Sequence, residues 1–309
     1  MSMEMSFQGY FEPLAAIHRV TGEKAGHLLH GQLSNHINGL KDGEANYNLL
    51  LTQKGKVVAD LYVYRTESDF LLIIDKPGEQ KVIDHLKKFA PLSRVEIGDE
   101  TAKYFFVHAF GIKLPHKEGL LTLRGGERGS YVYQSDRLGL PGYDFLIPAD
   151  KKEELLARLK QENFSEIAPA TQEVLRVEQG ICKVGIDATE ENLPQEARLD
   201  RALNFDKGCY LGQETIARLH FLGHVNRVLA GLKIEPNNAV EKKAPIFDGE
   251  KRVGKITSSV FSPTLNTVFV LGYIPFALNQ AGREFRVGEK KIGARVVELP
   301  LESQDRPAA

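Results

Sequence analysis

Apolar and polar positions along the chain separate it into stretches with different periods. From Ala45 to Asp75 the period is two: Tyr47 to Gln53 runs into a Lys54-Gly55 turn, and Lys56 to Arg65 follows. Along that second strand Val57, Ala59, Leu61 and Val63 share one face, while Val58, Asp60, Tyr62 and Tyr64 share the other. Phe70 to Ile74 is continuously apolar, as a central strand would be. Pro77 opens a helix with Val82, Leu86 and Phe89 spaced for burial, and Arg94–Ile97 and Lys103–Phe110 add two strands. Strands on both sides of one helix predict a ferredoxin-like α+β unit over residues 45–110.

The flanking stretches read differently. The first forty residues predict short helices and turns, with a helix start at Thr21-Gly22-Glu23-Lys24 and Ala25, Leu28 and Leu29 on its inner face. A polar connector over 111–119 leads to strands Leu120–Leu123, Tyr131–Gln134 and Tyr143–Ile147, with a long turn over Asp136–Asp144. Charged and amphipathic helices follow over Lys151–Lys160 and Pro169–Gln179, the second stopped by Gly180. From Val225 onward only short strands recur, around Leu229–Ile234, Val253–Val260, Val268–Tyr273, Phe285–Val287 and Ala294–Leu299. Turn residues between them predict a small barrel or sandwich.

Composition bounds the function classes. The 309 residues have a formal net charge of −1, 42% hydrophobic and 26% charged residues, the balance of a globular protein with no field to gather nucleic acid or anionic membranes. No apolar run reaches membrane-spanning length, and the N-terminus has neither a basic region nor an apolar stretch, so the expected location is the cytoplasm. Two cysteines, Cys182 and Cys209, argue against a disulfide framework. Cys182 sits among Ile181, Val184 and Ile186 and reads as packing. His27, His30 and His36 have no cysteine or carboxylate at ligand spacing, so they read as a solvated helix face and no metal site is expected.

The densest chemistry lies in Phe205-Asp206-Lys207-Gly208-Cys209-Tyr210-Leu211-Gly212-Gln213-Glu214. A thiol beside Lys207 and ahead of a helix start feels positive potential from both, which favours the thiolate. Cys209 is therefore either a reactive or metal-ligating thiol or a small side chain packed in a turn. Asp60 is likewise open: it faces a polar ligand-holding cleft, or it lies on the wet side of a sheet. Arg218, His220, His224, Arg227 and Lys233 form either an anion-attracting rim or a solvated face.

The Lys-Gly-Cys-Tyr-x-Gly-Gln-Glu run resembles the hallmark of YgfZ-type folate-binding proteins that maintain iron–sulfur enzymes, a branch of the glycine-cleavage T-protein (aminomethyltransferase) superfamily. Gly55 to Tyr64 resembles that superfamily's folate-facing strand, and Leu175-Arg176-Val177-Glu178-Gln179-Gly180 its Leu-Arg-x-Glu-x-Gly helix end. Gly254 to Ser259 with Ser262-Pro263-Thr264-Leu265 is similar to its barrel hairpin. The resemblance implies an α+β, three-domain fold around a central folate pocket, with a C-terminal small β-barrel. The domains would be 1–44 with 111–224, a split first domain carrying the cysteine motif; 45–110; and 225–300, with 301–309 a disordered tail.

It implies tetrahydrofolate, or a one-carbon derivative, as cofactor, with Asp60, Tyr62, Asp144, Arg176, Tyr210, Gln213 and Glu214 as its contacts. Cys209 and Lys207 would carry the chemistry. The implied role is assembly or repair of [4Fe–4S] enzymes, including those that modify tRNA; the implied partners are iron–sulfur enzymes or cluster carriers, without direct nucleic-acid binding. Departures bear on the alternative, a folate-dependent aminomethyl or methyl transferase. The T-protein's Thr-Gly-Glu reads Leu138-Gly139-Leu140 here, and its Arg-Asp reads Gln172-Glu173. A scaffold with a vestigial pocket is the third reading, which folate titration exposes.

Overall fold

The structure is a computed structural model, and it describes residues 8–111, 129–235 and 238–301. The expected strand Leu120–Leu123, nearly all of the 111–119 connector and the tail lie outside the described residues. In chain order the strands are β1 (Gly9–Phe11), β2 (Ala15–Thr21), β3 (Ala45–Leu51), β4 (Val57–Arg65), β5 (Phe70–Asp75), β6 (Glu96–Asp99), β7 (Tyr104–Phe110), β8 (Tyr131–Ser135), β9 (Gly142–Pro148) and β10 (Ser165–Glu166). The last six are β11 (Arg227–Glu235), β12 (Pro245–Asp248), β13 (Lys251–Ser262), β14 (Thr267–Pro275), β15 (Glu284–Val287) and β16 (Ile292–Val297). The helices are α1 (Ala25–Gln32), α2 (Lys76–Ser93), α3 (Lys152–Gln161), α4 (Pro169–Glu178) and α5 (Gln213–Leu222).

Contacts divide the chain into two units. The first comprises residues 1–50, 59–168 and 202–211; the second comprises 51–58, 169–201 and 212–309. The first unit is built on two five-stranded sheets, ordered β3-β4-β5-β2-β6 and β10-β1-β7-β9-β8. They meet where Tyr64 of β4 stacks on Tyr133 of β8, ring centroids 4.1 Å apart and planes 3° apart. The second unit carries a closed barrel, β11-β14-β13-β12-β15-β16, whose closure leaves no unpaired sheet edge. Ala230, Leu232, Ile246, Val270 and Ile274 are fully buried in its core.

Three expectations change. The N-terminal stretch holds two strands, not only helices and turns: β2 is a central strand paired with both β5 and β6. Its Ala15-Ala16-Ile17-His18-Arg19 run carries weak strand propensity, so pairing on both sides decides its state. β7, read as closing the unit over 45–110, pairs instead with β1 and β9 in the other sheet. In α2 the buried face is Val82, Ile83, Leu86 and Ala90, and Phe89 is 37% exposed.

Candidate functional site

Asp60 shares a face of β4 with Tyr62 and Tyr64 by the period of two, yet that face is not open water. Tyr62 and Tyr64 are 6% and 0% exposed, while Asp60 keeps partial access to solvent. The Tyr47 hydroxyl donates to Asp60 Oδ2 at 2.6 Å, and the Tyr47 ring lies 5.0 Å from that of Tyr62. One register step beyond the Leu61↔Ile74 pair, β5 sets Asp75 opposite Asp60. Burial pushes the Asp60 carboxyl up to about 6, and the negative charge of Asp75 pushes the same way. The Tyr47 hydroxyl and the more distant Arg137 oppose the shift without cancelling it. Such a carboxyl exchanges its proton near neutral pH and attracts a cationic amine when ionised.

Asp144, the other carboxylate expected at a ligand, is committed internally. It is 0% exposed and accepts from Arg137 Nη2 at 2.7 Å, Arg137 Nε, Ser135 Oγ at 2.8 Å and the Tyr64 hydroxyl, and it contacts His108 Nδ1 at 2.8 Å. Burial opposes its charge, but Arg137 and the His108 hydrogen bond outweigh burial and hold it well below the usual carboxylate range. Five donors around two oxygens exhaust their acceptor sites, so Asp144 orders the interior. Arg137 is the residue that sequence reasoning missed. Its guanidinium stacks on Tyr62 at 4.3 Å and Phe106 at 4.8 Å while pairing with Asp144. A single arginine in a nine-residue turn gave no signal by which to single it out.

The cysteine segment is stitched to the end of α1 in the first unit. Lys207 Nζ donates to the carbonyls of His30 at 2.6 Å, Leu33 at 2.7 Å and Asn35 at 2.8 Å, which occupies its three protons. It caps the His30 and Leu33 carbonyls at the end of α1, holds that of Asn35 just beyond the helix, and lies 4.8 Å over the Tyr210 ring. Burial pulls this ammonium down to about 7, whereas the three carbonyls favour its charged form. Lys207 is thus a buried cap whose charge reaches Cys209 only through space. Cys209 itself is exposed and Cys182 buried, and the two form no disulfide. Tyr210 is 6% exposed, and its hydroxyl is buried with no hydrogen-bond partner among the described residues.

His30 departs from the solvated-face expectation: its Nδ1 accepts from the backbone N–H groups of Ile37 and Asn38 at 3.3 and 3.5 Å. Burial, then the Lys207 charge, lower it to about 4, so the neutral ring carries its proton on Nε2. Of the two glycines in the motif only Gly212 is demanded by geometry. It has φ 83° and caps α5, and an added Cβ would lie 2.4 Å from the Thr52 carbonyl oxygen. A Cβ on Gly208 would meet nothing closer than His30 Nε2 at 3.9 Å. Gln213 and Glu214 form the first turn of α5, partly and fully exposed.

The Leu-Arg-x-Glu-x-Gly helix end fastens α4 to the barrel inside the second unit. Arg176 donates from Nε and Nη2 to Glu173, from Nη1 to Asp187 and the Ile181 carbonyl, and from Nη2 to Ser258 Oγ. These contacts engage all five guanidinium N–H groups, so Arg176, expected at the cofactor, is committed to structural contacts. A bulge between Ile256 and Ser258 in β13 turns Thr257 and Ser258 toward the same Asp187 oxygen, at 2.5 and 2.7 Å. Glu178 accepts from Ser262 and Thr264, and Gly180 at φ 69° passes close to Leu299. In the basic run, Arg227 pairs with Glu196 at 3.1 Å and Lys233 lies 3.7 Å from Glu235, while Arg218, His220 and His224 are exposed.

The two sheets and the barrel define a T-protein-like class. Residues 15–114 match the GCVT N-terminal domain, and residues 227–301 match the glycine cleavage T-protein C-terminal barrel domain. The aminomethyltransferase of Rubrobacter xylanophilus is 27% identical over 92% of this chain and 80% of its own length. That of Thermosynechococcus vestitus is 24% identical over 88% and 78%. The crystal structure of glycine cleavage system aminomethyltransferase T from Bartonella henselae superposes with a TM-score of 0.82, covering 96% of this chain and 87% of that one at 24% identity, which shows a common fold. The chain belongs to the glycine cleavage T-protein superfamily. Among the described residues no helix is long and apolar enough to cross a membrane.

Proposed function

We propose that the protein binds a reduced folate at the Asp60 face and handles its one-carbon unit, as a folate-dependent aminomethyl or methyl transferase. The observation that carries this reading is the Asp60 carboxyl, raised to about 6 and tethered by Tyr47. The residues fit the group: a half-buried carboxylate beside aromatic rings suits the N–H donors and flat ring of a pterin. Asp60 holds or releases a proton at neutral pH, and Tyr47 fixes Oδ2 and hence the side-chain rotamer. When bound, a reduced folate supplies the nitrogen that accepts the one-carbon unit. The names of the curated relatives favour this reading over the iron–sulfur role that the cysteine motif ranks first.

Titrating wild type and Asp60→Asn with tetrahydrofolate tests it. Equal affinity removes Asp60 from the site, and no binding by either removes the folate. Glycine-cleavage turnover with a lipoyl carrier protein tests the transferase step.

One observation keeps the second reading, a folate-binding factor that helps assemble or repair [4Fe–4S] enzymes. Cys209 is an exposed thiol on a segment pinned by a buried ammonium, a form suited to a nucleophile or transient iron ligand. The departures at Leu138-Gly139-Leu140 and Gln172-Glu173 point the same way. The partners would be iron–sulfur enzymes or cluster carriers. In cells lacking the protein, Cys209→Ala then fails to restore [4Fe–4S] enzyme activity under oxidative stress, while Cys182→Ala restores it. Full rescue by Cys209→Ala would leave the thiol with no such role.

A further inference from the structure

The sequence offers no metal ligands at recognisable spacing, but the fold assembles a set from three distant positions in the first unit. His18 on β2 is the register partner of Asp99 on β6, so their side chains rise from the same face of adjacent strands. Glu79, in the first turn of α2, reaches over them and places Oε1 2.8 Å from His18 Nε2. One donor atom each from His18, Glu79 and Asp99 falls within 4.8 Å of the other two, and among the described residues this is the one such group of three. We propose that His18, Glu79 and Asp99 form a divalent transition-metal site.

The chemistry of the donors selects the ion. One imidazole nitrogen with two carboxylate oxygens suits the borderline cations Mn²⁺, Fe²⁺, Ni²⁺ and Zn²⁺. The nitrogen argues against Mg²⁺ and Ca²⁺, which take oxygen ligands, and the absence of sulfur argues against Cu⁺. Zn²⁺ stands above Mn²⁺ and Fe²⁺ in intrinsic affinity for such donors and is inert to redox, so it is the natural probe. The site is graded in access: His18 is 6% exposed, Glu79 half-buried and Asp99 exposed. The imidazole is therefore fixed by the core, and the remaining coordination positions open to water or an exchangeable ligand. Asp99 is itself oriented, because Oδ1 accepts from both the backbone N–H and the hydroxyl of Thr101, at 2.8 and 2.6 Å.

Lys76 is the native competitor. Its ammonium lies 2.8 Å from Glu79 Oε2 and supplies part of the positive charge that a dication would replace. The side chain is 40% exposed and free to swing into water when the ion enters. Bound metal would tie the edge strand β6 to the start of α2 through β2, and so would stabilise the first unit by mass action.

Competition titration of the full chain with Zn²⁺ and a chromogenic chelator tests the site. A Cys182→Ala, Cys209→Ala background removes the thiols as alternative ligands. One saturable equivalent is expected, weakened at least about tenfold by Asp99→Asn or His18→Gln. Asp99→Asn keeps an oxygen for Thr101 at an exposed position, so it remains informative if His18→Gln does not fold. Lys76→Met should tighten binding several-fold, an effect that a purely structural hydrogen-bonded cluster would not give. Absence of a saturable equivalent, equal affinity of Asp99→Asn and its parent, or weaker binding by Lys76→Met would each overturn the assignment.

Discussion

Replacing Asp60 by asparagine should make the protein more stable at neutral pH while it loses folate binding. The Asp60 carboxyl is raised from 3.8 to about 6 in the folded protein, chiefly by burial and then by Asp75. Between those values the native state binds more protons than the unfolded chain, so stability falls as pH rises through roughly 4–6. Above pH 6 the full cost of holding the charge is present. A shift of about two pH units corresponds to about 3 kcal/mol. Asp60 keeps partial solvent access, and screening reduces the figure to about 1–2 kcal/mol.

Asparagine is nearly isosteric, cannot ionise and still accepts the Tyr47 hydroxyl. Thermal melts at pH 8 should therefore rise by roughly 2–8 °C, taking about 2–4 °C per kcal/mol. At pH 4, where the native carboxyl is neutral, the two proteins should melt together. Stabilisation that disappears in acid, together with lost folate affinity, is what a functional carboxylate held at a cost predicts. A variant less stable than wild type at pH 8, or one whose gain persists undiminished at pH 4, would refute the electrostatic reasoning.

Other outcomes follow from the same geometry. Arg137→Met should cost about 3–5 kcal/mol in urea unfolding by stranding the Asp144 charge, and Arg137→Lys should restore little because it cannot reproduce the two-pronged contact. Lys207→Met should cost about 2–4 kcal/mol by leaving three carbonyls without their donor. Because burial lowers Lys207 from 10.5 to about 7, the unfolded chain binds the extra proton between those values. Wild-type stability should therefore gain from this group as pH rises from about 7 to 10, and the contribution should vanish in Lys207→Met. Iodoacetamide should label Cys209 well before Cys182 in the native protein and both alike in denaturant, as measured by mass spectrometry of digests.

The alternating pattern of β4, the continuous apolar run of β5 and the short strands after Val225 were legible because period and turn residues are local properties. Asp60 stood out for the same reason: a carboxylate in a strand face otherwise made of Val58, Tyr62 and Tyr64 is visible without coordinates. The exposure of Cys209 was not visible, and its glycine-flanked context allowed either outcome.

What tertiary structure decided was which polar groups meet. Asp60 and Asp144 look alike in sequence, yet burial and then Asp75 across the strand raise one, while at the other Arg137 across a turn outweighs burial and lowers it. Arg176 and Lys207 both looked available to a ligand, and both are consumed by carbonyls and carboxylates brought to them by folding. The His18, Glu79 and Asp99 trio exists only because β2, α2 and β6 converge. Secondary structure follows largely from residues within a few positions, whereas the charge state and occupancy of a side chain depend on neighbours dozens of residues away. Sequence therefore determined most of the elements and nominated the chemistry, while packing decided the state of β2 and which nominees face solvent and which are already spent inside.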